Sequence, residues 1–163
     1  MKHLQHGTTS HSDYRYRVAT NADCEVVRKI IFDALASYGL LMDPSTTDKD
    51  LYDIEKHYPE GLFWVITDNN SPIHGSFALY CGNKTGIEIR KMYFSPELRG
   101  KGLGKWAMDF LLKTAKNLGY EEINLETASV LKEAILLYRK FGFEESIGDL
   151  HSHRCDVFMK KVL

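Results

Sequence analysis

The chain predicts a single α+β domain in three layers, α/β/α, around a mixed, mostly antiparallel sheet of about seven strands with four helices. Three observations predict it. Residues 62–67, 73–81 and 87–94 are strand patterns joined by short turns, Asn69-Asn70-Ser71-Pro72 and Gly82-Asn83-Lys84-Thr85-Gly86, so they pair as antiparallel hairpins. Farther on, a helical pattern lies between two strand patterns and makes a β-α-β unit. Between these halves a basic, glycine-rich loop, Arg99-Gly100-Lys101-Gly102-Leu103-Gly104-Lys105, opens a long amphipathic helix.

The elements follow in order. Residues 1–12 are polar and carry His3, His6 and His11, a pattern expected of a flexible tail before a domain of residues 13–163. Tyr14, Tyr16 and Val18 alternate on one face of a first strand. Thr20 with Asp23 marks a helix start, and Gly39 ends that helix. Its apolar positions are Val26, Val27, Ile30, Ile31, Ala34, Leu35 and Tyr38. A second helix is expected over residues 47–58, with Asp48, Asp50, Asp53 and Glu55 on a solvated face. The three central strands come next. The long helix, residues 102–118, carries an apolar stripe of Leu103, Trp106, Ala107, Phe110, Leu111, Ala115 and Leu118. A strand over 123–127, a helix over 131–141 closed by Gly142, and two last strands over 143–147 and 155–162 complete the chain.

Composition narrows the function. A chain of 163 residues with 44% hydrophobic and 26% charged residues is an ordinary globular domain. A net charge of -1 gives no reason to expect a nucleic acid or an anionic membrane as partner. Cys24, Cys81 and Cys155 are odd in number and far apart, with no Cys-x-x-Cys pair. They read as buried thiols in a reducing compartment, not as disulfides or metal ligands. No run of transmembrane length and no signal-peptide pattern is present, so a cytoplasmic location is expected. A homodimer is left open.

The loop carries the chemistry. Glycines let a ligand approach the backbone, and a helix start points unpaired N–H groups and a positive dipole at it. With Arg99, Lys101 and Lys105 added, the natural occupant is a phosphate or pyrophosphate. A Walker loop is excluded, because the glycines are one residue too close and Trp106 stands where Ser or Thr would bind magnesium. A dinucleotide loop matches Gly102-x-Gly104-x-x-Ala107, with Glu126 downstream. Against it, Ser95-Pro96-Glu97-Leu98-Arg99 separates strand from glycines, and the preceding strands are antiparallel.

The third reading is R-x-x-G-x-G, formed by Arg99, Gly102 and Gly104. Here the sequence resembles the GNAT superfamily of acetyl-CoA-dependent N-acetyltransferases. The resemblance spans residues 87–143. It includes Ala134-Ile135-Leu136-Leu137-Tyr138-Arg139-Lys140-Phe141-Gly142-Phe143, which resembles the family's A-x-x-L-Y-x-x-x-G-F signature. It implies a GNAT-like fold and acetyl-CoA as cosubstrate, without metal. Its pyrophosphate would sit on Arg99, Gly100, Lys101, Gly102, Leu103, Gly104 and Lys105. Met92, Tyr93 and Phe94 would offer backbone groups to pantetheine where this strand splays from its neighbour.

The resemblance also assigns roles. Tyr138 matches the tyrosine that protonates the departing thiolate, and a phenol keeps its proton at neutral pH. Glu88 stands where some members place a strand carboxylate as base, with Arg90 nearby. Glu126 is the second candidate base. Leu131 departs from the asparagine many members carry there, with Ser129 or Thr127 as substitutes. The acceptor pocket would be lined by residues 38–53, the central strands and the connection holding His151, His153 and Arg154. Arg154 is a candidate grip for a substrate carboxylate. His151-x-His153 reads as a polar loop. The expected function is acetyl transfer to a small-molecule amine, amino-acid-like if Arg154 binds it. The alternatives are a protein or peptide N-acetyltransferase and a degenerate acyl-CoA sensor.

Overall fold

The computed structural model describes residues 5–83 and 86–163. His3 and the centre of the 82–86 turn therefore lie outside the described residues. The strands are β1 (His6–Thr8), β2 (Tyr14–Val18), β3 (Phe63–Asp68), β4 (Ile73–Asn83), β5 (Gly86–Phe94), β6 (Glu122–Thr127), β7 (Glu144–Glu145) and β8 (Val157–Val162). The helices are α1 (Cys24–Ala36), α2 (Ile54–His57), α3 (Leu103–Asn117) and α4 (Lys132–Lys140). The described strands form one sheet in the order β1-β2-β3-β4-β5-β6-β8-β7. Its β5–β6 pair is parallel and the other neighbours are antiparallel.

Each face of the sheet carries its own core. Leu103, Ala107, Met108, Leu111 and Ala115 of α3, with Ile135 and Tyr138 of α4, pack on Trp64, Phe77, Leu79, Ile87, Ile123 and Leu125. The rings of Trp64 and Phe77 stack at 5.5 Å and Phe110 meets both edge-on. Each fully buried side chain of this size contributes about 1.5–3 kcal/mol. On the other face Cys24, Val27, Ile31 and Leu35 of α1, spaced one helical turn apart, cover Phe63, Val65 and Ala78 together with Leu51 and Ile54. Val26 and Tyr38, expected on that stripe, are exposed, as is Leu118 after α3. Asp23 accepts the Thr20 N–H at 2.9 Å and pairs with Arg17 at 2.7 Å, fixing the approach to α1.

Three segments differ from the sequence pattern. Part of the expected tail, His6–Thr8, is strand β1 paired with β2; three polar residues show no period to read. The expected helix over 47–58 breaks into a 3-10 turn, Lys49–Tyr52, and the four-residue α2, whose start Asp53 caps through the Lys56 N–H. Asp48 and Asp50 of that segment are buried, not solvated, because Lys91 of the distant strand β5 meets both. The strand expected over 143–147 is shortened to β7.

Two irregularities position the site. The β4–β5 register shifts between Ser76 and Ala78, and Lys91 takes a positive φ of 52° at the bulge. Ser76 Oγ donates to the Lys91 carbonyl at 2.7 Å across it. In addition, β5 pairs with β6 through Ile87, Glu88 and Ile89 alone. Beyond Ile89 the two strands diverge, each keeping its other neighbour.

Candidate active site

The divergence of β5 and β6 opens a cavity of about 700 Å³. Met92, Tyr93 and Phe94 line it from β5, and Leu125, Glu126 and Thr127 from β6. Arg99 and Gly104 bring the basic loop to its mouth, and Tyr138 reaches it from α4. The cavity thus gathers the strand end, the loop and the two candidate carboxylates.

The loop is shaped by backbone angle more than by crowding. After a 3-10 turn at Pro96–Leu98, Gly100 and Gly102 take φ of 72° and 71°. A Cβ at either would meet nothing within 4 Å, so the left-handed angle alone favours glycine there. Gly102 caps α3, whose first N–H groups have no intrahelical acceptor. Gly104 has no such angle, and a Cβ there would make an ordinary 3.5 Å contact with Leu137. Leu103 is buried in the core, so it offers the loop only its backbone. The Lys101 ammonium leans over the Tyr14 ring at 5.8 Å, while Arg99 and Lys105 are exposed.

Tyr138 is buried beside Tyr93 and Cys155. Burial first, then those neighbours, push its phenol well above its ordinary pKa, so it keeps its proton. Its hydroxyl makes no hydrogen bond among the described residues. Glu88 is buried on β5 with Oε2 2.9 Å from Arg90, whose guanidinium stacks 3.8 Å over Tyr80. Glu126 accepts from both the backbone N–H and Nδ1 of His151, at 2.8 and 2.6 Å. Near Leu131, Ser129 is committed to Asp156 at 2.7 Å, whereas Thr127 lines the cavity.

The side of the cavity toward the segment after α1 holds an ion cluster that sequence reasoning missed. Lys91, its side chain 3% exposed, reaches Asp48 at 2.7 Å, Asp50 at 3.1 Å and the Thr47 carbonyl at 2.8 Å. Arg154 grips both oxygens of Asp48, at 2.7 and 3.0 Å. Tyr58 donates to Asp50 at 2.6 Å. Burial alone would raise the Asp48 carboxyl, but Arg154 and Lys91 outweigh it and hold it down at about 2. Both terminal nitrogens of Arg154 are used, so its expected role as a carboxylate grip gives way to a structural one. No local signal marks this cluster, since Asp48 lies 43 residues from Lys91 and 106 from Arg154.

Cys24 is buried, while Cys81 and Cys155 are only half-buried, and all three are free. Among the described residues no three His, Cys, Asp or Glu side chains stand together as a metal site, and no helix is long and apolar enough to cross a membrane.

Comparison with known proteins identifies the class. The sequence model of the Acetyltransferase (GNAT) family matches residues 29–143. The chain is 33% identical over 156 residues to the uncharacterized N-acetyltransferase YjgM of Escherichia coli K12, covering 90% of this chain and 93% of that one. It is 28% identical over 154 residues to the putative phosphinothricin acetyltransferase YwnH of Bacillus subtilis, covering 86% and 93%. Among solved structures, a GNAT-family acetyltransferase from Staphylococcus aureus superposes with a TM-score of 0.81 at 21% identity, over 91% of this chain and 98% of that one. The phosphinothricin acetyltransferase Pat of Sinorhizobium meliloti, in complex with acetyl-CoA, gives 0.69 at 23%, over 93% and 89%. The chain belongs to the GNAT family of N-acetyltransferases.

Proposed function

We propose that this chain transfers an acetyl group from acetyl-CoA to the primary amine of a small molecule, both bound together. The observation that carries this reading is the divergence of β5 from β6 over a cavity shared by the basic loop and Tyr138. Backbone groups at Met92, Tyr93 and Phe94 face that opening without a β6 partner, as a strand-like pantetheine arm requires. Gly102 at the start of α3, with Arg99, Gly100, Lys101, Leu103, Gly104 and Lys105, suits a pyrophosphate. Acetyl-CoA supplies an acetyl thioester, and the chain's residues manage the protons. Tyr138 donates its O–H to the departing sulfur. The amine's own proton leaves on the side of Glu88 and Glu126.

A small acceptor is favoured because the acceptor side is walled. The Asp48–Lys91–Arg154 cluster ties the segment after α1 to β5 and to the connection before β8. Relatives named for phosphinothricin agree with a small substrate. The test has two stages. Acetyl-CoA and CoA should raise the melting temperature and NAD should not, and a screen of amines should then find one that releases free thiol. Stabilisation by NAD alone ends the acetyltransferase reading. CoA binding without turnover on any amine points to a sensor, and turnover on peptide amines alone to a protein acetyltransferase.

A further inference from the structure

An alkyl amine reaches the enzyme protonated, because its ammonium titrates near about 10, and an ammonium has no lone pair. Some group beside the cavity has to take that proton. Glu88 is buried and held by Arg90. The Glu126–His151 pair offers a different arrangement. Both His151 Nδ1 and its backbone N–H contact Glu126 Oε1. A carboxylate only accepts, so Nδ1 carries the hydrogen, and in the neutral ring the lone pair is then on Nε2. The Glu126 side chain is 8% exposed, whereas the imidazole is 56% exposed.

Two cavities meet at this pair. Glu88, Glu126 and His151 line the 700 Å³ cavity and also a second one of about 440 Å³ beyond it. The rim of the second includes Ile147, which is fully exposed. The pair therefore forms a wall between the acyl-transfer cavity and solvent.

The geometry points to His151 as the group that takes the acceptor's proton, at Nε2, and hands it to water in the second cavity. Glu126 is a positioning residue that fixes the ring and its tautomer. The inference rests on the acyl-transfer reading. The proton balance is complete. The ammonium gives one proton to Nε2, and the freed nitrogen forms its C–N bond as the C–S bond breaks. Tyr138 protonates the sulfur and regains a proton from the new amide nitrogen. Other charged or titratable groups line the two cavities around the pair, besides Tyr138 and Glu133 of α4. They are Glu88 with Arg90 on β5, Glu122 on β6 beside Lys160 on β8, and Asp149, Arg154 and Cys155 on the connection.

The test is a pH profile of kcat/KM for the amine, with variants. His151→Gln should lower kcat about 100-fold and remove the acid limb, with acetyl-CoA stabilisation unchanged. Glu126→Gln keeps an oxygen for Nδ1–H and should retain most of the rate, whereas Glu126→Ala should lose about as much as His151→Gln. Nitrogen NMR of the resting wild type should show the Nδ1–H tautomer. An acid limb that survives in His151→Gln, or that is lost in Glu88→Gln instead, overturns the inference. So does a Glu126→Gln variant as slow as Glu126→Ala, which would make Glu126 itself the base, or an Nε2–H tautomer. If the wild type neither binds acetyl-CoA nor turns over any amine, the acyl-transfer reading falls and this one with it, and the failure is recognised because the unaltered chain shows it.

Discussion

The two sides of the cavity, proposed above for the acetyl-CoA donor and for the acceptor amine, are built by different means. The donor side comes from one stretch of sequence: the end of β5, the glycine loop, α3 and, past β6, α4. It works through backbone angles, a helix start and apolar packing. The acceptor side is assembled from Asp48, Lys91 and Arg154, three residues far apart in the chain, and works through buried charge. Losing a donor-side group should cost binding or rate. Losing an acceptor-side charge should cost the fold first.

Substitutions can break this contrast. The largest effect is expected from Lys91→Met, which leaves Asp48 and Asp50 buried without their shared ammonium. Urea unfolding should show a loss of about 3–5 kcal/mol. A loss under about 1 kcal/mol would place the two sides on an equal footing. Next, Tyr138→Phe should lower kcat about 100-fold with stability and acetyl-CoA affinity kept. Wild-type turnover in that variant removes Tyr138 from the mechanism.

Acid sharpens the comparison further. Asp48 sits at about 2 in the folded chain against an ordinary 3.8. A depressed carboxyl stabilises fully above the higher value and loses that contribution as pH falls toward the lower. Unfolding measured between pH 4 and pH 2 should show about 2 kcal/mol of this loss, absent from Asp48→Asn. The smallest effect is expected at the loop. Gly102→Ala forces a Cβ into a left-handed angle and should cost about 1–2 kcal/mol. It should also weaken acetyl-CoA binding, read by calorimetry. Gly104→Ala, without that angle, should cost stability much less.

What could be read from sequence follows the same division. Gly102, Tyr138 and the stripe of α3 short of Leu118 are local patterns, and the structure has them on the elements expected. The cluster around Asp48 has no local pattern. Its acids look like a solvated helix face until Lys91 and Arg154 arrive from elsewhere. The bulge at Lys91 is likewise a property of two paired strands and of neither alone. His151 looks like one residue of a polar loop, because its partner Glu126 is 25 residues earlier. Break-points such as Asp53 were hidden by an acidic, helix-like composition.

Strand β1 bears on how much of the sheet edge is left open. An open edge of unpaired backbone N–H and C=O groups is a template for aggregation. Without β1, the five residues of β2 would present such an edge, with Tyr14 and Tyr16 at its side. His6–Thr8 covers part of it, and Gly7 makes room for Tyr16, whose ring would lie 2.8 Å from any Cβ at that position. The opposite edge is β7, two exposed glutamates. Among the described residues the sheet of eight strands thus ends in three residues on one side and two on the other. A fusion or truncation that reaches into His6–Thr8 uncovers the edge of β2.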